Sequence, residues 1–157
     1  MKKMIILTVI ASFLIGNTGL RAGTLHDAVK YGDFQKVQNL IDKGADLNAI
    51  DYNHYPSRNH GTPLGHAAKR GYKDIAKLLI NNGADVNGID NFRRTPLILA
   101  ATYGHKNIVK LLLAQKNIDI NAGDNMFMFN FNMNALRSAR KRGHTEIVEL
   151  LKAHGAK

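Results

Sequence analysis

A chain of 157 residues, 45% apolar and 22% charged, has the length and composition of about one ordinary globular domain. It contains no cysteine, which excludes a disulfide framework and a thiol nucleophile and leaves stability to packing alone. Its 22 Lys and Arg outnumber 12 Asp and Glu, a net charge of +10 that favours acidic proteins, anionic surfaces or nucleic acid as partners but dictates no fold.

Lys2 and Lys3 precede an uncharged run from Met4 to Ile15, and Gly16 to Gly19 then lead into Leu20-Arg21-Ala22. This is the pattern of a secretory signal cleaved after Ala22, and the run is shorter than the roughly 20 residues that a membrane span needs. Two readings stay open, because Leu20 and Arg21 fit a cleavage site poorly: a signal peptide over residues 1–22, or an uncleaved N-terminal anchor as the sole membrane contact. Under the first, the protein is exported, periplasmic or secreted. Loss of Lys2, Lys3 and Arg21 then leaves 19 basic against 12 acidic residues, a net +7.

From residue 24 onward the chain repeats itself. The stretch 24–51 spaces Leu25, Ala28, Gly32, Leu40, Gly44, Ala45, Asp46 and Asn48 as two short helices about a glycine turn. The stretch 62–90 shows the same unit most fully. Thr62 caps a helix that starts at Pro63, Ala67 and Ala68 keep it thin, and Gly71 supplies a left-handed stop. A second helix follows, with Asp74 near its start and an apolar stripe of Ile75, Leu78 and Leu79. The stretch 95–121 repeats Thr95-Pro96-Leu97, Ala100, Ala101 and Gly104, but places Lys116 where a helix-ending glycine stood. The stretch 134–157 keeps Leu136, Ala139, Gly143, Ile147 and Leu151 and loads its first helix with Arg137, Arg140, Lys141 and Arg142. Lys36 and Asn39 stand where the second copy has Ile75 and Leu78. Polar outer sides at both ends suit terminal repeats that face water.

Thr62, Pro63, Leu64, Ala67, Ala68, Gly71, Ile75, Leu78, Leu79, Gly83, Ala84, Asp85, Val86 and Asn87 together resemble the ankyrin repeat, whose period is about 33 residues. The resemblance implies an all-α solenoid over residues 23–157, of stacked helix-turn-helix units joined by β-hairpin-like fingers. It implies a protein-binding module, with partners held by the fingers and by outward positions of the first helices along a concave face. Those positions are Asp27, Lys30 and Tyr31, then His66, Lys69 and Arg70, then Leu99, Thr102 and Tyr103, then Ser138, Lys141 and Arg142. It also makes His26 a hydrogen-bonding brace between repeats. Arg93 stands where the family has glycine, which leaves the turn geometry of the middle finger open.

The leucines Leu25, Leu64, Leu97 and Leu136 are 39, 33 and 39 residues apart, so two intervals carry six extra residues, which fall in fingers at 51–61 and 122–133. The first holds Tyr52, Tyr55 and Arg58, residue types common on binding surfaces, although a solvated loop of that length costs little. The second packs Met126, Phe127, Met128, Phe129, Phe131 and Met133 among two asparagines. Such a patch either anchors a partner through Phe127, Phe129 and Phe131 or folds back as core. With Lys69, Arg70, Lys141 and Arg142 on the helices and Arg93 and Arg94 on the middle finger, the face is basic and carries Tyr103. That suits an acidic protein, while charges on a solenoid also serve solubility.

No nucleophile elbow, phosphate-cradling glycine loop or zinc-protease helix motif is present, and His54, His60 and His66 lack the spacing of metal ligands. The sequence therefore points to no enzyme and no cofactor. The rival class, an electrostatic binder of nucleic acid or an anionic surface, would demand a continuous basic track.

Overall fold

The computed structural model describes residues 22–51, 60–123 and 133–157; the N-terminal run and most of both long fingers fall outside these residues. Four helix pairs follow one another: α1 (Ala22–Tyr31) with α2 (Phe34–Asp42), α3 (Pro63–Arg70) with α4 (Lys73–Asn81), α5 (Pro96–Thr102) with α6 (Lys106–Leu113), and α7 (Ala135–Arg142) with α8 (Thr145–Ala153). Each helix packs on its pair-mate and on its counterpart in the next pair, and the first helices touch one another more extensively than the second helices do.

The first helices start alike because their sequences do. The Thr62 hydroxyl accepts from Gly65 N at 3.1 Å, Thr95 from Ile98 N at 3.3 Å, and the Asn134 side chain from Arg137 N at 2.9 Å. Pro63 and Pro96 occupy the first helical turn, where a missing N–H costs nothing. Across the stack Leu25, Leu64, Leu97 and Leu136 form one buried column, and Ala28, Ala67, Ala100 and Ala139 form a second whose single methyl lets the backbones approach.

In the second helices the fully buried members of α4 are Ile75, Ala76 and Leu79, with Leu78 only half-buried; Leu111 is half-buried beside buried Leu112. The expected stripe of Ile75, Leu78 and Leu79 is thus rotated by part of a turn. α4 packs on its own first helix and on α2 and α6, and the side covered by these neighbours includes Ala76 and leaves Leu78 at the stripe's edge.

Both ends are polar. Lys36 and Asn39 of α2 are exposed, and in α7 Arg137 and Arg140 are exposed where α5 has buried Ile98 and Ala101. No strand occurs among the described residues. The second long finger is closed at its base by an isolated antiparallel bridge between Gly123 and Asn134, and the first by Asp51 N donating to Gly61 O at 3.3 Å. Among the described residues no helix is long and apolar enough to cross a membrane.

One further contact repeats from pair to pair. Gly71 and Gly104 end their helices at φ +82 and +79, and a Cβ there would lie 2.6 Å from the His105 ring and 2.7 Å from the His144 ring. Each ring also reaches back across the junction: His105 Nε2–H donates to Lys69 O at 3.0 Å and His144 Nε2–H to Thr102 O at 3.2 Å. Tyr72 fills the same place beside Gly32. The histidines are therefore structural.

Two outcomes follow for stability. Leu79→Ala or Leu112→Ala should each cost about 2–5 kcal/mol, and Leu78→Ala clearly less, when measured by urea unfolding. Gly104→Ala should cost more than about 1 kcal/mol from the left-handed backbone, and combining it with His144→Ala should cost less than the two changes summed. Strict additivity in that cycle would mean that ring and glycine do not press on each other.

Candidate interaction surface

The last turn of each first helix presents the same two positions: Lys30 and Tyr31, Lys69 and Arg70, Thr102 and Tyr103, Lys141 and Arg142. Tyr31 is 84% exposed and Tyr103 45%, and Arg70 and Arg142 are exposed as well. Lys69 Nζ lies 5.7 Å from the Tyr103 ring centroid, so charge and aromatic face meet across the junction of two pairs. Cations are favoured at a helix C-terminus, which accounts for the lysines and arginines here and leaves the tyrosines unexplained.

One turn earlier, His66, Leu99 and Ser138 do not point outward as expected; they are 7%, 3% and 2% exposed. The close approach of the first helices, set by the alanine column, closes this position into the junction. His66 packs edge-on to His26 with ring centroids 5.6 Å apart. His26 Nε2–H donates to Gly61 O at 2.9 Å, which is the brace expected of it. Beside His66 lies a void of about 10 Å³, lined also by Thr62, Lys69 and Asp90, which is room for one water rather than for a ligand.

Burial is the main reason that the His66 pKa falls to about 3, with the neighbouring His26, Lys30 and Lys69 acting in the same direction and Asp51 against them. Two buried carboxylates, which the sequence did not single out, each anchor a finger. Asp51 pairs with Lys30, while its carbonyl meets the His60 ring. Asp90 accepts from Phe92 N at 2.9 Å and Arg94 N at 2.8 Å, and pairs with the Arg94 guanidinium at 2.7 Å. Both stand at the same place in their repeats, 39 residues apart, and that shared offset was the available signal.

Arg94 is thus held within the middle finger, stacked on Phe92 at 4.9 Å, and is not turned toward a partner. Arg93 is exposed at φ 59, so it adopts the left-handed backbone that favours glycine although it carries a side chain. Tyr52, Tyr55, Arg58, Phe127, Phe129 and Phe131 lie outside the described residues. Among the described residues no group of His, Asp or Glu could hold a metal ion.

Stacked helix pairs, capped alike and offering a surface of exposed charges and rings, define a repeat solenoid of the kind that works by contact. The chain belongs to the ankyrin repeat family: a family model of ankyrin repeats in three copies matches residues 25–124, and α7 and α8 continue the same pattern beyond it. Ankyrin repeats are protein-interaction modules, and the family is typically non-enzymatic. Among similar proteins, XBAT35 of Arabidopsis thaliana is 41% identical over 64 residues, 41% of this chain and 13% of its own. The 2-5A-dependent ribonuclease of Mus musculus is 38% identical over 76 residues, 48% of this chain and 10% of its own. Protein phosphatase 1 regulatory subunit 27 of Mus musculus is 41% identical over 68 residues, 43% of this chain and 39% of its own. The chain thus matches well under half the length of each.

The buried histidine makes stability depend on pH. Above about pH 6.5 neither the folded nor the unfolded state protonates His66, so the burial has no proton-linked cost. As pH falls below that, the unfolded chain takes up a proton that the folded chain refuses until about pH 3, and up to about 1.4 kcal/mol is lost per pH unit. Urea unfolding at neutral pH and near pH 4.5 should show a loss of roughly 2–3 kcal/mol that His66→Leu largely removes. An unchanged slope in that variant would place the proton uptake elsewhere.

Proposed function

We propose that this chain is an exported protein-binding module whose partner presents an acidic surface to the last turns of the first helices and to the two long fingers. The observation that carries the reading is the pairing of exposed Arg70 and Arg142 with exposed Tyr31 and Tyr103 along one face. Tyrosine and arginine are the residue types that most often dominate binding energy at protein interfaces. Lys69, Lys141 and Arg93 add positive charge. Tyr52, Tyr55 and Arg58 on the first finger and Phe127, Phe129 and Phe131 on the second supply further contacts. His66 takes no direct part; it shapes the face from within the first junction. The likeness to a protein named as a phosphatase regulatory subunit supports a role exercised through another protein.

Replacing Lys69, Arg70, Lys141 and Arg142 together by Glu should weaken capture of the partner strongly at low salt, and less so at physiological salt, where charges are screened beyond about 8 Å. The circular-dichroism spectrum should not change. Changing Phe127, Phe129 and Phe131 to Ser should weaken the same capture with little change in melting temperature. Undiminished capture by the charge-reversed protein would overturn the basic face as the site, and preferred capture of nucleic acid would favour the rival class.

Export is the second half of the proposal, supported by Lys2 and Lys3 ahead of the apolar run to Ile15. N-terminal sequencing of the protein recovered outside the cytoplasm should begin near Gly23. An intact Met1 in a membrane fraction would favour the anchor.

A further inference from the structure

Resting on that proposed function, we infer that the row Tyr31, Arg70, Tyr103 and Arg142 reads an extended acidic segment of the partner, with two carboxylate side chains six residues apart and an apolar side chain midway between them. The row is built by equivalent positions in four successive pairs, so aromatic and cationic groups alternate along it. Among the described residues four large apolar side chains are exposed, and two of them, Tyr31 and Tyr103, stand in this row. Helix-end electrostatics accounts for the arginines but offers no reason to expose two tyrosines in alternation with them.

The spacing sets the register. Packed helices lie about 8–10 Å apart, so Arg70 and Arg142, two pairs from each other, are separated by roughly 16–20 Å. An extended segment in the polyproline II conformation rises about 3.1 Å per residue with three residues per turn, so five to six residues cover that distance; of these, six is two full turns and also brings the third residue to the same face, midway and opposite Tyr103. A helical segment, rising about 1.5 Å per residue, would need roughly twice as many residues and would lie less evenly along the row. Lys69 sits against the Tyr103 ring, so a carboxylate near Arg70 meets two cations while the next contact along the row is an aromatic face. A single nucleic-acid strand carries a phosphate at every nucleotide, and such an uninterrupted polyanion matches this alternation less well than a peptide with widely spaced charges.

The experiment is fluorescence anisotropy with the purified full chain and labelled ten-residue peptides. One carries Leu at positions 1 and 7 and Glu at 4 and 10 with Ser elsewhere; a second has the same composition with its two Glu three residues apart; the third probe is an oligothymidylate. The first peptide should bind at least about tenfold more tightly than the second, where tenfold corresponds to about 1.4 kcal/mol. Arg70→Glu and Arg142→Glu should each reduce its affinity by a similar factor, and Tyr103→Ala should weaken it while Tyr103→Phe preserves it, all with unchanged circular dichroism. Equal affinities for the two peptides, both lost in Arg70→Glu, would overturn the six-residue register and leave the basic face standing as a binding site. Affinities of both peptides that survive Arg70→Glu and Arg142→Glu would overturn the register and the basic face together. Tighter binding of the oligothymidylate than of either peptide would overturn the assignment of a peptide partner.

Discussion

None of these helices is stable by itself. They are seven to ten residues long, below the roughly 12 to 15 at which even favourable sequences become marginally helical in water. Ordering a residue costs about 1–2 kcal/mol, and a single pair buries too little apolar surface to offset that. The contact on which everything else depends is therefore the close approach of one first helix to the next, which the column of Ala28, Ala67, Ala100 and Ala139 permits. A larger side chain in that column would separate the leucine column beside it and open the junctions that bury His26 and His66.

Polar groups reinforce the same approach from the edges. In the loops after the second helices, Asp46, Asp85 and Asp119 each turn their own loop by accepting from the backbone N–H of Asn48, Asn87 and Asn121. Those asparagines then accept from the next unit: Asn48 from Asp85 N at 2.8 Å, Asn87 from Asp119 N at 2.9 Å, and Asn121 from Lys157 N at 2.9 Å. At the opposite edge the rings of Tyr72, His105 and His144 rest on the turn glycines of the preceding pair. Each junction is thus tied by apolar columns in the middle, by directional bonds on the loop side and, at the two junctions where His105 and His144 stand, by a ring hydrogen bond on the other side as well.

Much of this was legible in the residues. Thr-Pro-Leu starts, alanine pairs, turn glycines and Asp-x-Asn loops are local devices, and local devices survive folding unchanged. Positions whose environment is set by the neighbouring pair were less legible. His66 and Leu99 sit on a helix side that looks outward within one repeat and is covered only when the next repeat is in place. Leu78 fits the helical period of a buried stripe, yet the packing around α4 leaves it at the edge, and Asp51 and Asp90 look like ordinary loop acids until the fold closes around them. On the candidate face, Lys69, Arg70, Tyr103, Lys141 and Arg142 stand in the last turns of their helices, at the positions that the resemblance implied, whereas Arg94 was claimed by Asp90, four residues away.

The clamps at the finger bases have a consequence for how such a protein can change over generations. Asp51 N bonded to Gly61 O, and Gly123 bridged to Asn134, hold the two ends of each long finger together irrespective of what lies between. Once the ends are fixed, doubling the intervening length costs only about 0.6 kcal/mol in closure entropy. Insertions can accumulate there, and new side chains can be tried, without disturbing a single stacked column; the scaffold and its specificity are free to diversify at separate rates.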